Sequence, residues 1–121
     1  MKKTTLLVMS IVLVQFSFAQ LANTSWTGTF NIPDPSEMIV EFKTDTVNVI
    51  FKDRTFLESM KYQVNGDTLL LTKIDGESPC SFTETATYKM ETKDNKLFIS
   101  ALKDLCPERV SAWPANGLQK M

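Results

Sequence analysis

The chain has 121 residues, a near balance of charge (13 Lys and Arg against 14 Asp and Glu) and no histidine. The missing imidazole removes Ser-His-Asp and Cys-His catalysis and most zinc sites, and no cluster with ligand spacing replaces it. A mildly acidic chain without a basic stretch is a poor nucleic-acid ligand, because phosphate contacts supply most of that affinity. The sequence therefore implies a non-catalytic protein with no metal, no cofactor and no nucleic-acid partner.

The first segment reads as a leader rather than as part of the fold. Met1-Lys2-Lys3 is basic, Leu6 to Val14 is apolar apart from Ser10, and Ser17-Phe18-Ala19 places small residues at a cleavage site before Gln20. The apolar run is too short to span a bilayer, where about 20 residues are needed. The expected division is a signal peptide over 1–19 and one domain over 20–121, exported to the periplasm or secreted and not membrane-spanning.

From Gln20 onward the apolar residues alternate with period two, the mark of half-buried strands. Trp26, Gly28 and Phe30 share one face of a first strand, which Asp34-Pro35 ends. Met38, Val40 and Phe42 form the second, and Val47, Val49 and Phe51 the third. Phe56, Met60, Tyr62 and Val64 lie on one face of a longer fourth strand. Asn65-Gly66 reads as the central pair of a type I′ turn, where both positions need positive φ. Leu69 and Leu71 follow in the fifth strand, Ala86, Tyr88 and Met90 in the sixth, and Leu97, Ile99 and Ala101 in the seventh. A short eighth strand is expected near Arg109 to Trp113. Eight strands joined by short turns predict an all-β, antiparallel up-and-down barrel, because an open meander would leave edges that invite pairing with other chains. A sandwich is the alternative.

Two cysteines in an exported chain read as one disulfide, Cys80–Cys106. Tyr62 to Cys80 and Tyr88 to Cys106 are both spaced by 18 residues. Each cysteine thus ends one of two similar hairpins, which brings both sulfurs to one rim.

Several segments resemble the short bacterial lipocalin-like proteins. They are Trp26-Thr-Gly28-Thr-Phe30, the hairpin Tyr62-x-Val64-Asn-Gly-Asp67-Thr-Leu69, Ser78-Pro79-Cys80 and Asp104-Leu-Cys106-x-x-Arg109. The resemblance runs roughly from Trp26 to Trp113, and it implies a small exported eight-stranded barrel with no assigned activity.

The candidate site is the barrel interior. Trp26, Phe42, Phe51, Met60, Tyr62, Tyr88 and Met90 point inward with Leu71 and Ile99. They either surround a small hydrophobic ligand or meet in the middle as a filled core, since eight strands permit both. Trp26 reads as a plug at one end, stacked beneath Arg109. Glu58 shares the parity of Met60 and Tyr62, which aims a carboxylate at the apolar interior unless a bulge turns it out. Arg109 is its expected partner, in competition with Asp104, and the pair is either a polar anchor for a ligand or a structural ion pair at the rim. The alternative is an extracellular protein partner, met through the outer surface or through a free arm at Gln20 to Asn23, as in small barrel-shaped protease inhibitors.

Overall fold

Seven of the eight predicted strands form where the alternation places them in the computed structural model, which describes residues 18–32 and 34–121. They are β1 (Thr24–Asn31), β2 (Pro35–Phe42), β3 (Thr46–Phe51), β4 (Phe56–Asn65), β5 (Thr68–Gly76), β6 (Thr85–Lys93) and β7 (Lys96–Lys103). The eighth differs. Residues expected as a strand near Arg109 to Trp113 belong to a short helix, α1 (Pro107–Ala112), and the closing strand is β8 (Leu118–Lys120). Pro107 at the first helical position explains the difference: its fixed φ suits a helix start, and Glu108 beside it adds a favourable charge to the first turn.

Neighbouring strands pair antiparallel in chain order, and β8 returns to β1, so the sheet closes into a barrel. The expected leader over 1–19 lies outside the described residues except for its last two positions. Phe18–Gln20 forms a turn of 3-10 helix, and Leu21 behind it is buried. Gln20 to Asn23 is therefore tied to the barrel and is not a free arm.

The turns separate the two ends. Three tight hairpins, β2–β3, β4–β5 and β6–β7, close one end, while the longer β5–β6 loop and α1 gather at the other. Within β4–β5, Asn65 pairs with Thr68, so the central pair is Gly66-Asp67 and not Asn65-Gly66. Only Gly66 has positive φ (61°), which is the type II′ pattern with glycine first. The hairpin with positive φ at both central residues is β6–β7, at Asp94 (53°) and Asn95 (66°).

The half of the interior nearest the hairpins is filled. Trp26, Phe42, Tyr62, Leu69, Leu71, Met90 and Leu97 are buried there with Leu21. Phe42 and Tyr62 meet edge to face with centroids 5.1 Å apart, and the Tyr62 hydroxyl donates to the Lys43 carbonyl at 2.6 Å. Such contacts add to the burial of large rings. The filled-core expectation holds for this half of the barrel. The other half is different.

Candidate functional site

A cavity of about 430 Å³ opens at the end carrying α1 and the β5–β6 loop. Its wall is mainly apolar: Phe30 of β1, Val49 of β3, Leu57 and Met60 of β4, and Ala112 and Trp113 at the end of α1. Phe30 and Trp113 pack with centroids 5.2 Å apart, and Tyr88 lies behind Trp113 at 5.8 Å. The indole Nε1 of Trp113 is buried and has no hydrogen-bond partner among the described residues.

Two charged side chains break this apolar wall. Glu58 is 5% exposed and Arg109 8% exposed, and both line the cavity. The register of β4 changes between Ser59 and Met60, yet Glu58 keeps its inward parity. Gly76 makes this possible on the neighbouring strand. It pairs with Glu58 at φ +127°, and a Cβ there would lie 2.5 Å from the Leu57 carbonyl oxygen and 2.7 Å from the Glu58 Cα. Only glycine permits that approach.

Arg109 comes from α1 and holds two carboxylates unequally. Its Nε donates to Asp104 Oδ2 at 2.7 Å and its Nη2 to Asp104 Oδ1 at 3.0 Å, a two-pronged pair. Its Nη1 faces the Met60 sulfur at 3.9 Å and stands 3.6 Å from Glu58 Oε2, an ion pair beyond hydrogen-bond length. Asp104 also accepts from the Tyr88 hydroxyl and from the Cys106 N–H. Burial pushes the Asp104 carboxyl up, but the hydrogen bonds from Arg109, Tyr88 and Cys106 outweigh it and the group ends below the usual carboxylate range. Burial and the neighbouring Asp104 push the Tyr88 phenol well above its ordinary value. Asp104 is thus satisfied, whereas Glu58 accepts no hydrogen bond from any described residue.

The mouth is held by two pins. Cys80 of the β5–β6 loop and Cys106 at the start of α1 are joined by a disulfide, with Cα atoms 5.3 Å apart. Lys73, 3% exposed, extends from β5 under the same loop. It donates to the Ser78 carbonyl at 2.6 Å and the Cys80 carbonyl at 3.3 Å, and its Nζ lies 4.5 Å from the centre of the Phe82 ring. Its charge is therefore spent on the loop rather than presented to the cavity.

Of the residues singled out from sequence, the structure brings Glu58, Met60 and Arg109 together at the cavity, with Tyr88 supporting them through Asp104. Trp26, Phe42, Tyr62 and Met90 are buried but do not line it. Phe51, opposite Met38 in the unbroken β2–β3 register, is only partly buried: it packs against the core and does not line the cavity. Trp26 does not sit beneath Arg109: the tryptophan sharing the cavity wall with Arg109 is Trp113. Sequence reasoning missed Lys73, although it has the parity of Leu69 and Leu71, and the rule that exposed Glu58 applies to it unchanged.

Among the described residues no group of three or more His, Cys, Asp or Glu side chains could hold a metal ion, and no helix is long and apolar enough to cross a membrane. Comparison of the chain with protein-family profiles, with curated proteins and with solved structures returns no match.

Proposed function

We propose that this chain is an exported, non-catalytic, lipocalin-like barrel that holds a small, mainly apolar molecule in the cavity beneath α1. The observation that carries this reading is the cavity itself. At about 430 Å³ it exceeds the lower bound of about 300 Å³ for small-molecule pockets, and its apolar wall carries a few polar groups that converge at Glu58 and Arg109. The leader-like first segment and the disulfide fit an oxidising compartment. The resemblance of the Trp26, Tyr62 and Asp104-x-Cys106-x-x-Arg109 segments to short lipocalin-like proteins points the same way.

A neutral fluorophore such as Nile red tests the pocket directly. Its emission should rise and shift to the blue with the wild-type protein, and Ala112→Trp, which fills the mouth from α1, should abolish the change while leaving the thermal midpoint nearly intact. Native mass spectrometry of protein purified from its own exported fraction should show a carried small molecule. No fluorescence response and no adduct would remove the reading.

A second reading, an exported barrel that binds an extracellular protein, draws on one observation. Phe82 and Leu105, on the two segments joined by the disulfide, are 54% and 68% exposed. A co-purifying protein lost on Leu105→Asp would favour it.

A further inference from the structure

The charges around the cavity are lopsided. Glu58 in the wall and Glu77 and Glu108 at the mouth face a single guanidinium, Arg109. That guanidinium is already committed: two of its nitrogens are bound to Asp104. Lys73 does not redress the balance, since its ammonium serves the Ser78 and Cys80 carbonyls. Glu58 itself is 5% exposed and accepts no hydrogen bond from the described residues, its one charged neighbour being Arg109 Nη1 at 3.6 Å. The Glu58 carboxylate opens onto the cavity, where it keeps hydrogen-bonding capacity that no described residue uses.

We propose that the cavity takes a cationic amphiphile, an apolar body with a single protonated amine that donates to Glu58. This inference rests on the reading of the cavity as a binding site and specifies its ligand class. An ammonium supplies up to three donors to the carboxylate and neutralises part of the surplus negative charge. A carboxylate head would have to approach Glu58, Glu77 and Glu108, with two of the three Arg109 nitrogens already held by Asp104. A hydroxyl head could donate one hydrogen bond but would leave the charge as it is. The apolar body would lie against Phe30, Val49 and Trp113.

The test compares octylamine, octanol and octanoate at neutral pH and below their micellar concentrations, by calorimetry on the wild-type protein. Octylamine should bind at least about tenfold more tightly than octanol, and octanoate most weakly, since the ammonium adds its charge and two further donors to the single hydrogen bond a hydroxyl can give Glu58. Glu58→Gln should lower octylamine affinity by at least about tenfold and octanol affinity by clearly less, so that the amine preference disappears. Glu108→Gln, at an exposed position, should lower octylamine binding by a smaller factor and guards against a folding defect in the Glu58 variant. Equal affinity for the three probes, or tighter binding of octanoate, overturns the cation assignment while the pocket reading stands. Failure of all three probes overturns the assignment too, and if Nile red also fails to bind, the pocket reading goes with it.

Discussion

Arg109 is the residue on which the polar part of the cavity depends, because it neutralises Asp104 fully and Glu58 partly. Arg109→Met leaves the Glu58 and Asp104 carboxylates without their cation, and losing one partner of a buried pair costs about 3–5 kcal/mol. Glu58→Met should cost less than about 1 kcal/mol, since Arg109 keeps its two-pronged bond to Asp104. The double variant should regain about 1 kcal/mol of the Arg109→Met loss, and strictly additive urea midpoints would show that the two residues do not interact. Asp104 gives a pH-dependent counterpart. Its carboxyl titrates near 3.8 in an unfolded chain and lower in the barrel, so on acidification the unfolded state takes up the proton first. The stability it contributes is complete above about pH 5 and drains away as pH falls through 3.8 towards the depressed native value. Asp104→Asn should therefore flatten the acid limb of the stability curve between about pH 5 and 2. An unchanged limb would mean that the Arg109 and Tyr88 bonds do not matter in solution. At this scale the sequence was informative where parity applies. Glu58 stood out because it interrupts an apolar face, and Lys73 stands out by the same test. Trp113 and Asp104 could not be placed that way, since they lie where the two-residue period stops.

The elements show why. Seven of the eight strands expected from alternation form, whereas the segment after β7 reads as a strand yet folds as a helix, because six helical residues are too few to display a helical period. Pro107 was the available signal, at the position where proline favours a helix start. The extra residue of β4 at Leu57, which shifts the β3–β4 register, could not be seen in advance. The β5–β6 loop and α1 contribute opposite lips of the mouth and are bound to each other by Cys80–Cys106 across 26 residues of chain. In the loop-entropy account a bridge of that span contributes about 3.5 kcal/mol. Cys80→Ala with Cys106→Ala should lower the urea-derived stability by about that amount. Amide exchange should rise first in the β5–β6 loop and α1, with the three tight hairpins unaffected. If exchange rises uniformly instead, the disulfide is a global constraint and not a clasp on the mouth.

For the molecule as a whole the decisive part is the smallest strand. β8 joins β1 through Trp26↔Lys120 and Thr27↔Gln119, and β7 through Lys96↔Gln119 and Leu97↔Leu118, against eight register pairs between β1 and β2. Leu118 anchors it at 1% exposure. Leu118→Ala should cost about 2–5 kcal/mol, as for other buried leucines. Removing residues 118–121 should leave β1 and β7 as open edges and shift the protein from monomer to oligomer in analytical ultracentrifugation. A truncated chain that stays monomeric with the same melting point would show that β8 is not the closure. All other strand pairings join neighbours in sequence, so they can form as the chain is made. The closure cannot, because its two sides stand at opposite extremes of the described chain. Translation must pass Lys120 before the barrel can shut, and until then the emerging strands are an open sheet with β1 exposed as an edge.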